Sequence, residues 1–344
     1  MNLRRVRIAA QLLALGLVVW WFVVPQLRGT SSSLHQLFDV DSSWLPVALA
    51  AELGSLAAYT FCTRAVLGHH ARPSYPQIAC IDLSSIGLGH CLPDGGAAGT
   101  ALSWRLLVGV GVPSGDAVFA KVSQGISSAV ALHALLFSAL LLGGLTGGFT
   151  TWSAAPIALA SATLLVITAL IAALRRPGFR AGAERCLRLL PRVGPKLADR
   201  TTSLYDCHLD ERVKAATRDR QQLLEVLGWS ATNWTLDAAA LWASLNACGA
   251  HPGLEAIAVA FAIASYGTWL PITPSGLGVS ESLMIPSLIA FGAPHAAAAL
   301  GVLTWRAIAY WLPIPMGATA YGALHLGRLR AVRALPAATA DSMG

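Results

Sequence analysis

Residues 271–298 read PITPSGLGVSESLMIPSLIAFGAPHAAA. Pro271, Pro274, Gly276 and Gly278 interrupt the chain within eight residues, and Glu281 follows inside a strongly apolar region. Proline removes a backbone donor and glycine relaxes the backbone, so a helix entering this stretch must end and another must begin. The same order occurs earlier. Residues 92–117, LPDGGAAGTALSWRLLVGVGVPSGDA, lie over 273–298 at a constant offset of 181. Pro93 then meets Pro274, Gly95 meets Gly276, Leu102 meets Leu283 and Leu107 meets Leu288. Gly111, Pro113 and Ala117 meet Gly292, Pro294 and Ala298. Each copy is a P-x-G knot, a short apolar helix, a G-x-P break and a long helix, which is an internal repeat.

The surroundings say what solvent this repeat lives in. The chain has 344 residues, 55% hydrophobic and 12% charged, against about 25% charge in soluble domains. Apolar runs fall near 8–25, 44–66, 76–92, 97–112, 117–143, 154–174, 223–248, 253–271, 277–292 and 296–322. A membrane-crossing helix needs about 20 apolar residues, and no alternating ten-residue segments suggest a β-barrel. The expected fold is an all-α polytopic membrane protein. The runs at 76–92, 97–112 and 277–292 are too short to cross a hydrocarbon core of about 30 Å, so each repeat is expected to hold a short re-entrant or broken helix. Run 8–25, behind Arg4, Arg5 and Arg7, reads as a retained first helix, since no small-residue cleavage site follows.

Charge sets the sides. Twelve of the 24 Lys and Arg lie between Arg175 and Arg220, a basic cytoplasmic linker by the positive-inside rule. The uncharged loop 143–153 fits the opposite side. The layout is one integral domain, 1–325, with repeat one at about 42–143, the linker at about 175–222, repeat two at about 223–325 and a cytoplasmic tail at 326–344. Repeat one begins outside and repeat two inside, so the copies are inverted, the plan of many transporters. The helices 8–25 and 154–174 are additional crossings. The localisation this implies is a bacterial-type inner membrane with both termini cytoplasmic.

Irregular backbone at membrane depth needs a protein or water-filled surround. The two knots therefore predict a polar cavity lined by Pro93, Gly95, Gly96, Pro274, Ser275, Gly276 and Gly278. The helix after Gly278 offers free N–H groups and a positive dipole end, an anion site. Ionisable residues inside membrane helices are costly, at least about 2.5 kcal/mol each at a helix centre. Of these, Arg105, Lys121 and Arg306 read as phosphate-facing cations. Lys121 and Arg306 fall about one helical turn apart in repeat coordinates. Glu281 has two readings: a cavity carboxylate meeting a head group or Arg306, or a structural ion pair that locks the knot. Glu52, Asp82 and Asp237 read as interfacial or packing residues. Six cysteines without CxxC spacing and nine histidines without HExxH point to no metal or disulfide framework. No Walker A sequence, GxSxG or Ser-x-x-Lys accompanies Ser275, Ser280 or Ser282, so neither direct ATP hydrolysis, a catalytic site nor a cofactor is expected. Nothing reads as nucleic-acid-binding.

Residues 270–325 resemble the membrane part of the lysylphosphatidylglycerol synthetase/flippase family, a resemblance that extends over about residues 10–325 and is stronger in the second half. Leu270, Pro271, Thr273, Pro274, Gly276, Leu277, Gly278 and Glu281 match its LPxTPGGLGxxE motif, with Ser275 in place of a glycine. Gly292 and Arg306 follow, then Trp311, Pro313, Pro315 and Gly317 in a WxPxPxG ending. LPDGG at 92–96 looks like the first-half motif, with Gly99–Thr100 where an acidic residue often stands. The resemblance implies inverted repeats, re-entrant helices and lipid translocation between leaflets. The family's soluble aminoacyl-transferase domain finds no counterpart, so aminoacylation is not expected. The expected partner is a membrane lipid: an anionic or aminoacylated phospholipid, or a polyprenyl- or glycan-linked lipid. A homo-oligomer stays open. Two other functions stay open as well, a non-transporting accessory protein of a lipid or envelope pathway and a membrane enzyme acting on a lipid-linked substrate.

Overall fold

The computed structural model describes residues 40–68, 73–92, 95–145, 219–268 and 273–333. The expected helices at 8–25 and 154–174, nearly all of the basic linker and the end of the tail lie outside these residues. All regular structure described is helical. Repeat one is α1 (Trp44–Leu67), α2 (Tyr75–Cys91), α3 (Gly95–Gly109) and α4 (Ser114–Leu145). Repeat two is α5 (Arg220–Ala247), α6 (Leu254–Gly267), α7 (Val279–Ala290), α8 (His295–Arg306) and α9 (Pro313–Arg333). A 3-10 turn, Pro274–Gly276, precedes α7, and a π turn, Ala307–Trp311, joins α8 to α9.

The repeat holds at the level of single hydrogen bonds. Val112 N–H donates to Leu107 O at 3.1 Å, and Ala293 N–H to Leu288 O at 3.0 Å. Ala117 donates to Pro113 O at 3.0 Å, and Ala298 to Pro294 O at 2.8 Å. Gly111 and Gly292 share φ near +90° (95° and 90°), and Gly68 and Gly249, which end the first helix of each copy, have φ of 68° and 77°. A side chain would be strained in this left-handed region, so glycine marks the same turn in both halves.

The copies run in opposite directions. Trp44 at the start of α1 meets Trp242 late in α5, with ring centroids 5.1 Å apart. Ser55 at mid-helix meets Asn233, whose Nδ2 donates to its Oγ at 2.8 Å. Ala65 at the end accepts from Gln222 Nε2 at the start of α5, 3.0 Å. Equivalent helices are thus antiparallel, which is what inversion requires. The halves also exchange partners: α2 packs on α9, and its counterpart α6 packs on α4. Small residues permit these close approaches, as is usual where lipid leaves no hydrophobic drive between helices. A Cβ on Gly317 would lie 2.5 Å from Leu83 O, and one on Gly87 2.9 Å from Pro313 O.

Helix ends follow local chemistry. Ser74 and Gln77 form a capping box at α2, and the Asp219 carboxylate accepts from the N–H groups of Gln221 and Gln222 at α5. Pro313 has no N–H to return to Ala309 and its ring crowds that carbonyl, so the helix widens into the π turn. Repeat one has no such turn; α4 runs through unbroken. Trp44–Leu67, Ser114–Leu141 and His295–Gly327 are each long and apolar enough to cross a membrane. On α4, Val122, Ile126, Val130, Phe137 and Leu141 form an exposed apolar stripe, the surface expected toward lipid. By contrast α3 and α7, at 15 and 12 residues, rise only about 22 and 18 Å.

Candidate functional site

The tips of the two hairpins, α2–α3 and α6–α7, meet. Ser275 Oγ, from the second knot, donates to Gly89 O near the end of α2 at 3.3 Å. Beside this contact is a cavity of about 530 Å³. The first knot contributes Gly95 and Gly96, the second Thr273 and Ser275, α7 Ser280 and Met284, and α8 Trp305 and Arg306. His90, Trp234, Asp237 and Phe261 complete much of the wall.

Arg306 is the cation of the cavity. It is 7% exposed, and its Nε lies 2.8 Å from Glu281 Oε1. Its guanidinium lies over the Trp305 ring at 4.9 Å and 5.8 Å from the Tyr310 ring, geometry that favours a desolvated cation. Its Nε, which meets Glu281 as an ion pair only, and its Nη2 are buried without a hydrogen-bond partner, as is Thr273 Oγ1. Buried polar groups are nearly always satisfied, so three unsatisfied donors in this region are unusual.

Glu281 does two jobs. Its Oε2 accepts from Gly278 N–H at 2.7 Å and from Ser280 Oγ at 3.0 Å, while Oε1 faces Arg306. The start of α7 is therefore capped by its own side chain. The expected free anion site at this helix end is occupied by Glu281, because Gly278 and Glu281 stand in capping-box spacing. The carboxylate fixes the guanidinium and is not itself among the lining residues.

The remaining sequence candidates are distributed as follows. Gly276 and Gly278 have φ of 69° and 85° and shape the knot, and Pro274 opens the 3-10 turn. Ser275 sits at φ 43°, the one non-glycine with positive φ among the described residues. Pro93 lies outside the described residues. Arg105 is exposed on α3 and does not line the cavity, because Ser103, Leu106 and Leu107 occupy the buried face. Lys121 does not line it either. It forms a separate buried pair with Asp82, 2.9 Å, and donates to Gln124 Oε1 at 2.9 Å. Lys121 and Arg306 thus belong to two ion pairs rather than one phosphate clamp.

Asp237 and Glu52, read from sequence as packing residues, belong to the site. Asp237 lines the cavity and its Oδ1 accepts the Trp305 indole N–H at 2.9 Å. Glu52 is 4% exposed and faces Asp237 across the α1–α5 contact. His90 Nδ1 donates to Tyr310 O at 2.9 Å, Tyr310 Oη donates to His90 O at 2.6 Å, and the two rings stack at 4.8 Å. The π turn thereby ties the end of α2 to the Arg306 wall. A second cavity of about 670 Å³, with Arg64, Asp219, Gln222 and Glu225 in its wall, lies further toward the start of α5.

No curated protein matches the chain. The sequence profile described as the lysylphosphatidylglycerol synthase TM region matches residues 8–317. With inverted helical repeats, a cavity where their tips meet and that match over most of its length, the chain belongs to the lysylphosphatidylglycerol synthase family through its transmembrane region.

Proposed function

We propose that this protein carries the head group of a membrane lipid between leaflets through the cavity at the hairpin tips, while the acyl chains stay in the bilayer. One observation carries the reading: Arg306, buried and paired with Glu281, is a cation in the wall of a cavity lined by both repeats, and its Nη2 has no hydrogen-bond partner. A lipid phosphate is the anion a membrane offers in abundance, and guanidinium binds phosphate well. Symmetry-related tips can touch only near the axis that relates them. For inverted repeats that axis lies in the membrane plane, the depth at which transporters bind their cargo. The α2–α3 and α6–α7 hairpins act in this reading as re-entrant elements. A cavity of about 530 Å³ falls in the usual range for ligand sites, about 300–1,000 Å³.

The shared feature of the candidate cargoes is a phosphate: anionic phospholipid, its aminoacylated form, or a polyprenyl-linked lipid. The protein acts as a transporter rather than an enzyme, in a bacterial-type inner membrane with its basic end, including Arg64, on the cytoplasmic side.

The test is translocation in proteoliposomes, with head-group-labelled phosphatidylglycerol and a membrane-impermeant quencher. Protein-dependent loss of inner-leaflet protection, absent in folded Arg306→Ala, supports the reading. Wild-type vesicles that keep full protection for phosphatidylglycerol and for aminoacylated and polyprenyl-linked lipids would refute it.

A further inference from the structure

Carboxyl groups outnumber cations at the cavity. Glu52 of α1 and Asp237 of α5 face each other in the antiparallel crossing, one turn along from the Ser55–Asn233 contact. Ionised carboxylates only accept hydrogen bonds and repel one another, so two that face each other in a buried contact favour holding one proton between them. The second oxygen of Glu52, Oε2, is buried and has no hydrogen-bond partner. Asp237 opens onto the cavity and is tied through Trp305 to the element that carries Arg306.

The fold does not demand this pair. At the offset of 181, the counterpart of Glu52 is Asn233 and the counterpart of Asp237 is Leu56. The same crossing is thus built once with two acids and once without any. Asn233 satisfies itself on Ser55, with Nδ2 bonds of 3.0 and 2.8 Å. The acids are an addition on one side of a symmetric contact, beside the cation of the cavity.

With one proton shared, the carboxyl pair carries one negative charge, Glu281 a second, and Arg306 one positive. A phosphodiester entering the cavity brings a further negative charge. Loading a second proton onto the pair offsets it. Other titratable or charged groups on these helices and those packed against them include Tyr59 and Arg64 on α1, Arg220 and Glu225 at the start of α5, Asp82 and His90 on α2, Lys121 and His133 on α4, Tyr266 on α6 and Arg306 on α8, the last paired with Glu281 of α7. Lys121 and Asp82 offset each other at 2.9 Å. His133 Nδ1 donates to Ala129 O at 2.7 Å and its ring packs on Tyr266. His90 is held on Tyr310. Arg306 shares the cavity wall with Asp237.

We propose that the Glu52–Asp237 pair is a proton site linked to the head-group site, so that an anionic head group enters with uptake of one proton and lipid movement is proton-coupled. This rests on the transport reading above.

The experiment uses full-length protein in phosphatidylcholine vesicles carrying a minor fraction of fluorescent phosphatidylglycerol, with a pH-sensitive dye inside. Lipid translocation and proton movement are recorded together between about pH 5 and pH 9. The wild type is expected to translocate faster as pH falls, approaching about tenfold per pH unit on the basic side for a one-proton step, with protons following the lipid. Glu52→Gln and Asp237→Asn are each expected to flatten that profile. Translocation that ignores pH and moves no protons overturns the proton site and leaves the transport reading intact. A profile flattened by His90→Gln but not by the carboxyl variants overturns the assignment to this pair. No translocation by wild type at any pH overturns the transport reading itself. Should the carboxyl variants fail to fold, the wild-type proton record still decides.

Discussion

Replacing Glu281 by glutamine separates what that residue does for the fold from what it does for the site. Its Oε2 takes Gly278 N–H at 2.7 Å and Ser280 Oγ at 3.0 Å, and its Oε1 lies 2.8 Å from Arg306 Nε. The glutamine oxygen keeps an acceptor for the cap, so loss there stays below about 1 kcal/mol. The larger effect is on Arg306, which remains 7% exposed without the carboxylate that lay 2.8 Å from its Nε. Breaking a buried ion pair from one side costs about 3–5 kcal/mol, a large share of typical domain stability. Arg306→Gln strands Glu281 and costs a similar amount. The double variant Glu281→Gln/Arg306→Gln leaves two neutral amides in contact, so most of the loss returns, and the cycle shows a coupling of several kcal/mol. The assay is unfolding of the purified protein in mixed detergent micelles, monitored by tryptophan fluorescence. A single variant within about 1 kcal/mol of wild type, or a double variant that loses the sum of both singles, would refute the buried-pair account.

Three further outcomes follow from other contacts. Lys121→Met strands Asp82, which is 1% exposed, and costs about 3–5 kcal/mol, while Lys121→Met/Asp82→Asn recovers most of it in the same unfolding assay. Ser275→Ala keeps the backbone strain at φ 43° and loses the bond to Gly89 O. Ser275→Gly removes both, so the alanine variant is less stable than the glycine variant by about 1 kcal/mol. Gly317→Leu drives a side chain into the Leu83 carbonyl and separates α2 from α9, whereas Gly322→Leu meets open space. The first is expected to abolish monodisperse elution in detergent and the second to leave it unchanged.

The repeat was legible because G-x-P recurs at Gly111–Pro113 and Gly292–Pro294, and these residues fix the same turn twice. Helix limits followed the apolar runs closely for the same reason. The site was only partly legible. Arg105 looked like an intramembrane cation, yet the helical period that buries Ser103, Leu106 and Leu107 turns it outward. Lys121 looked like a phosphate ligand because its partner Asp82 lies 39 residues away on another helix, and pairing across helices leaves no local mark. The self-cap of α7 was readable in the spacing of Gly278 and Glu281. Asp237 was missed because a single acid in a helix looks the same whether it faces lipid, a neighbour or a cavity. One signal was present: in repeat coordinates Asp237 falls one turn from Glu52, and an antiparallel crossing brings such positions together.

In the proposed transport function, Arg306 meets a lipid phosphate at the hairpin tips. The most direct measurement is native mass spectrometry of detergent-purified protein titrated with phosphatidylglycerol, comparing wild type with the Glu281→Gln/Arg306→Gln variant, whose fold the charge cancellation preserves. The account predicts a retained stoichiometric lipid on wild type that is lost from the variant. Equal retention by both proteins would contradict it.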